Sequence, residues 1–148
     1  MIWVRPAVAC VAVALIFAGG CRRVSDGPPP DPARKDLDRL QGAWVMKAID
    51  VWGKRTDEPG VRFVFEGDRF TAHTPDGVAK PVTVRLDPAR LPKWIDMTYD
   101  DGSTVPGIYQ LDEDELKLCV SKDPGGRPTE FTAPEDRAHS LMTFRRAR

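Results

Sequence analysis

The sequence predicts an all-β chain: a single antiparallel up-and-down β-barrel of about eight strands, preceded by a short N-terminal helical turn. Three observations carry this expectation. Short runs rich in Val, Ile, Phe, Thr and Tyr recur from Gly42 to the C-terminus, separated by Gly, Pro and Asp clusters. Within those runs apolar and polar residues alternate with period two. No window of helical period is long enough to supply a second layer, and no internal repeat is present.

The elements follow in order. Asp36-Leu37-Asp38-Arg39-Leu40-Gln41 predicts the helical turn, with Asp36 as its cap. The expected strands are 43–51, 61–65, 69–73, 82–86, 94–99, 107–111, 116–121 and 140–145. Gly67-Asp68, Asp76-Gly77, Asp100-Asp101-Gly102 and Asp112-Glu113-Asp114 supply turns between them. Val61, Phe63 and Phe65 share one face; so do Val82, Val84 and Leu86, and Leu116, Leu118 and Val120. Arg62, Glu66, Thr83, Arg85, Lys117 and Ser121 take the other face, as in an antiparallel sheet with one wet side. Closing that sheet into a barrel removes its edges. A barrel of eight strands is just wide enough to be filled by side chains or to hold one small ligand. Phe63, Phe65, Phe70, Trp94, Ile95, Met97, Tyr99, Ile108, Phe131, Met142 and Phe144 are the expected filling, so a small or absent cavity is expected.

Basic and acidic residues balance at 22 each over 148 residues, which leaves no electrostatic footprint for nucleic acid. Residues 36–148 have the length of one domain. Residues 22–35, RRVSDGPPPDPARK, are too poor in apolar side chains to fold and read as a semi-rigid Pro-rich spacer. Arg22 and Arg23 are placed either to attract anionic headgroups or only to aid solubility.

The first residues combine a charged head, an apolar run at 6–18 too short to cross a bilayer, and Ala18-Gly19-Gly20-Cys21. This resembles the bacterial lipoprotein signal, which implies cleavage before Cys21 and a lipid on that residue. The implied organisation is a signal peptide at 1–20, a disordered tether at 21–35 and a barrel domain at 36–148. The protein is then exported and anchored to a membrane of the cell envelope; a secreted soluble protein is the alternative. With Cys21 lipidated, Cys119 has no partner, and no disulfide stabilises the domain.

Leu40-Gln41-Gly42-Ala43-Trp44 places a Gly-x-Trp at the start of the first strand, and Phe144-Arg145-Arg146 ends the last. This looks like the lipocalin-type barrel. The resemblance implies that Trp44 closes the barrel base and that Arg145 or Arg146 lies over its indole. Phe65-Glu66-Gly67-Asp68, Pro92-Lys93-Trp94-Ile95-Asp96, Gly107-Ile108-Tyr109-Gln110-Leu111, Leu116-Lys117-Leu118-Cys119 and Arg127-Pro128-x-x-Phe131 occur in that order. Together they resemble an uncharacterised family of lipocalin-like domains found in planctomycete bacteria. That family implies a fold and a compartment, and brings no ligand, reaction or catalytic residue.

Candidate sites are correspondingly few. Trp94, Asp96 and Tyr109 are the ligand-binding candidates at a barrel mouth, each with a purely structural alternative. His73 and His139 belong to no spaced metal motif, and Asp112-Glu113-Asp114-Glu115 lacks the alternation and central Gly of a calcium loop. No cofactor is expected. Cys119 reads as a small packing residue under a loop, against a reactive thiol activated by Lys117. No Gly-x-Ser-x-Gly, phosphate loop or dinucleotide fingerprint occurs, so no enzymatic activity is expected. Two functions remain: a barrel holding a small apolar or amphipathic ligand, or a filled barrel acting as a structural or protein-interaction module on the envelope.

Overall fold

A computed structural model describes residues 27–123 and 126–148. The segment read as a signal peptide, Cys21 and the start of the segment read as a tether lie outside the described residues. Helix α1 spans Pro32–Leu40, and ten strands follow: β1 Gly42–Val51, β2 Lys54–Asp57, β3 Arg62–Glu66, β4 Arg69–Thr74, β5 Gly77–Val78, β6 Val82–Asp87, β7 Lys93–Thr98, β8 Thr104–Leu111, β9 Glu115–Ser121 and β10 His139–Arg146. Eight of them form a closed antiparallel ring in the order β1-β3-β4-β6-β7-β8-β9-β10, with β10 pairing back onto β1. The expected barrel is therefore present.

Two differences concern where elements begin. The helix starts at Pro32, inside the segment read as tether, because Asp31 caps it and Pro32 is tolerated in the first turn. Asp31 Oδ1 accepts from Ala33 N at 3.0 Å. Asp36 is thus a mid-helix residue and not the cap. β8 starts at Thr104 and runs through Pro106, which the sequence marks as a breaker.

β2 and β5 lie outside the ring. The second half of β1 pairs with β2 and its first half with β3, on either side of an irregularity between Met46 and Ala48. All four residues of β2 are exposed and polar, so no apolar alternation marks it in the sequence. Trp52 and Gly53, at φ 54° and 71°, make the two-residue turn into it.

The inner face follows the alternation. Phe63 and Phe65 of β3, Val82, Val84 and Leu86 of β6, Leu116, Leu118 and Val120 of β9, and Met142 and Phe144 of β10 are buried in one cluster. Phe63 stacks on Phe70 at 4.4 Å and meets Phe144 at 4.7 Å. β4 and β6 pair through only Arg69↔Thr83 and Phe70↔Val82. Helix α1 packs beside the weakly paired part of the wall, with Ala33 and Leu37 against the core and Leu40 inside it. Gln41 then ties the helix end to the β3–β4 turn: its Oε1 accepts from Gly67 N at 2.8 Å and its Nε2 donates to Gly67 O at 2.9 Å.

A second, smaller core lies on the outer face. Trp94, Ile108 and Cys119 are cross-strand neighbours in one row over β7, β8 and β9. The long connection between β9 and β10 covers that row, with Ala133 buried and Cys119 Sγ donating to Thr132 O at 3.4 Å. Trp94 and Ile108 therefore do not fill the barrel, Tyr99 is exposed at the β7–β8 turn, and Phe131 rides on the covering loop. Gly107 marks the tightest point between the two cores. A Cβ there would stand 2.8 Å from both Cys119 O and Val120 Cγ1. Gly107→Ala is expected to cost about 1–3 kcal/mol through forced movement of β9. A urea midpoint equal to wild type would contradict this packing.

Candidate functional site

The residues singled out by sequence separate into two clusters, one at each level of the barrel wall. The first locks the helix-covered end, formed by α1, the turns after β3, β6 and β8, and the last residues of β10. Asp36 faces inward from α1 because positions 33, 36, 37 and 40 share a helical face. Its Oδ2 accepts from Lys93 Nζ at 2.7 Å and from the Tyr109 hydroxyl at 2.8 Å, and Oδ1 accepts from Arg39 at 3.5 Å. Burial works against the Asp36 charge, but the hydrogen bonds from Lys93 and Tyr109 and the Lys93 and Arg39 charges outweigh it, holding the carboxyl below its usual range. Burial and the same carboxylate push the Tyr109 phenol far up. Tyr109 is thus a helix anchor and presents no hydroxyl to a ligand.

A pH dependence follows from that lock. A carboxyl whose folded pKa is depressed supplies stability above its unfolded pKa and loses it as pH falls through the folded value. Wild type is expected to exceed Asp36→Asn in urea midpoint near neutrality, with the gap closing as pH drops below the ordinary carboxylate range. A gap that persists at pH near 2 would show that the Asp36 charge contributes nothing.

Beside this lock, Trp44 is fully buried and donates its Nε1 hydrogen to Leu40 O at 2.8 Å. Arg146 lies over the indole at 4.2 Å and donates to Glu113, Gln41 and Arg39 carbonyls. Of the two arginines the resemblance implied, Arg146 takes the role. Arg145 is exposed, because strand alternation turns it outward.

The second cluster holds the β9–β10 loop to the outer wall. Arg127 donates to Asp96 Oδ1 at 2.7 Å, to Gly107 O at 2.7 Å and to Ile95 O at 3.1 Å, and its guanidinium lies 4.2 Å from the Trp94 ring. Arg90 stands over the same ring at 4.3 Å. Trp94 and Asp96 are therefore occupied by the protein's own arginines. They face outward, so they line no barrel mouth. Sequence reasoning missed Arg127 as the partner; an Arg-Pro beside an outward Trp and Asp does not reveal the loop's path. For Asp36 a signal existed, since a carboxylate on the apolar face of a helix requires a partner.

Cys119 is completely buried beneath this loop, and burial pushes its thiol up. That is the packing role expected of it. Ser121, Asp123 and His139 meet at the loop's root, where Ser121 and His139 are cross-strand partners. Ser121 is 1% exposed and its Oγ accepts from Asp123 N, while His139 Nε2 stands 3.9 Å from Asp123 Oδ2. His139 Nδ1 is buried without a hydrogen-bond partner among the described residues. No hydrogen bond joins Ser121 Oγ to His139. His73 is on the exposed end of β4, and residues 112–114 make the β8–β9 turn. Among the described residues no group of His, Cys, Asp and Glu is placed to hold a metal ion. No helix among them is long and apolar enough to cross a membrane.

Comparison with family models, curated proteins and solved structures returned no match to this chain.

Proposed function

We propose that the domain is an envelope-tethered interaction module whose barrel is filled by its own side chains, with Cys21 as the lipid attachment point and the Pro-rich segment as spacer. The packing of Phe63, Phe65, Phe70 and Phe144 supports the filled-barrel reading. Their rings approach to centroid distances of 4.4, 4.7 and 5.4 Å along the inner face of β3, β4 and β10. Aromatic rings at those separations are in contact, and an eight-stranded barrel has little further volume to offer. The clefts lined by α1 and β6, by the β8–β9 turn and C-terminus, and by the β9–β10 loop open on the outside of the barrel wall or at its ends.

The lipocalin-like resemblance and the lipoprotein-type leader support the placement at an envelope membrane. Native mass spectrometry of the lipidated protein purified from envelopes tests the reading. The expected spectrum contains the chain alone or with a stoichiometric protein partner. A small apolar molecule that co-purifies reproducibly would overturn it in favour of a ligand carrier.

A further inference from the structure

The β6–β7 loop, Pro88-Ala89-Arg90-Leu91-Pro92, has an apolar tip. Leu91 is 95% exposed and Ala89 is exposed beside it. The only charge in the loop leans back: Arg90 lies over the Trp94 ring and donates to Asp87 at 3.2 Å, with its side chain still 55% exposed. Water thus meets a leucine apex flanked by alanine and proline, with the guanidinium folded back against the wall. A large aliphatic side chain held fully in water stabilises nothing in the isolated domain.

The place of this tip gives it a partner. Asp31 and Pro32, at the start of α1, line the same cleft as Pro88 and Ala89. The chain therefore enters the domain next to the tip. From Cys21 to Asp31 there are about ten residues, which reach ~35 Å at full extension. A lipid on Cys21 keeps this end of the barrel within that distance of the bilayer. Of the charges near the tip, Arg34 pairs with Asp38 at 3.1 Å and Arg90 with Asp87, while Arg85, Asp31 and Lys35 stay exposed around it, so Leu91 is an apolar apex within a charged rim.

We propose that residues 88–92 form a bilayer-touching finger with Leu91 at its apex, which seats the helix-covered end of the barrel on the membrane and turns the β9–β10 loop outward. This rests on lipidation of Cys21. The lipid holds the chain at the membrane but leaves the barrel's orientation free, and a second contact fixes which end faces the bilayer. Leu91 supplies that contact on zwitterionic lipid, where surface charge adds nothing.

The test uses the lipidated protein reconstituted in phosphatidylcholine vesicles, with and without phosphatidylglycerol. An environment-sensitive dye is placed at Ala89→Cys, which leaves Leu91 intact, and in a second protein at Asp76→Cys at the opposite end. Cys119 is buried and does not compete for label. The expected result is a blue-shifted emission and quenching by nitroxide lipids for the dye at 89 only. The signal is retained at high salt and is lost when Leu91→Asp is added. Vesicle flotation separates the two levels of the idea. A protein that floats but shows no quenching at 89, or equal quenching at 76, overturns the finger and leaves the tether standing. A protein that fails to float overturns the tether and the finger with it.

Discussion

Trp44→Ala is expected to remove about 3–5 kcal/mol of stability, the range for truncating a buried aromatic that leaves a cavity. Three losses coincide at this position. The indole leaves a void at the helix-covered end, Leu40 O loses its donor, and Arg146 loses the ring beneath it. Small domains hold ~5–15 kcal/mol in total, so the loss is a large fraction of the whole. Urea denaturation followed by circular dichroism measures the effect. Trp44→Phe retains most of the ring volume and is expected to lose less. Arg145→Ala serves as the neighbour control, because its exposed side chain places it within about ±0.5 kcal/mol of wild type. A Trp44→Ala midpoint matching that of Arg145→Ala would contradict the role assigned to the indole.

Arg127→Ala is expected to cost about 2–3 kcal/mol, the scale of hydrogen bonds that involve a charged group. The larger consequence is local. Arg127 is the side chain that fastens the β9–β10 loop to Asp96, Ile95 and Gly107, and the loop in turn covers Cys119. In wild type the thiol reacts only after the loop opens, so its alkylation rate reports that opening. Weakening the clasp by this amount raises the rate about 30- to 140-fold, at one power of ten per 1.4 kcal/mol. Arg127→Lys keeps the charge but not the fork that bonds a carboxylate and two carbonyls together, and is expected to restore only part of the protection. An alkylation rate unchanged in Arg127→Ala would mean that the loop is held by other contacts.

The sequence made the barrel legible because β3, β6 and β9 each obey a strict apolar alternation, and a period of two has one structural meaning. The same rule failed on the outer wall. Trp94 and Ile108 are large and apolar, and were expected inside; yet Ile95 and Tyr109 hold the inward positions beside them. What buries the outer row is a loop rich in Pro, Gly and charge, and no local pattern announces where such a loop lands. Asp36 failed for a related reason. An Asp near a helix start suggests a cap, and only the tertiary approach of Lys93 and Tyr109 makes it a buried anchor. β2 was invisible because its four exposed residues carry no burial pattern at all. The ligand-binding candidates Trp94, Asp96 and Tyr109 are each engaged by the chain's own side chains, the structural alternative weighed for them.

Closure of the ring has a consequence for how the chain is made. β1 runs beside β10 from Trp44 opposite Arg146 to Val51 opposite Ser140. The opening strand gains β2 and β3 along one edge early, but its other edge waits for β10. Pairings of such wide sequence separation are slow to form, and until they do both borders of the sheet stay open to other chains. A message truncated before His139 would yield a molecule with every turn and most of its interior, yet with two sticky borders and Trp44 without its arginine lid. Strand β10 acts as the clasp of the barrel, and any fused tag is best kept at a distance from Arg146.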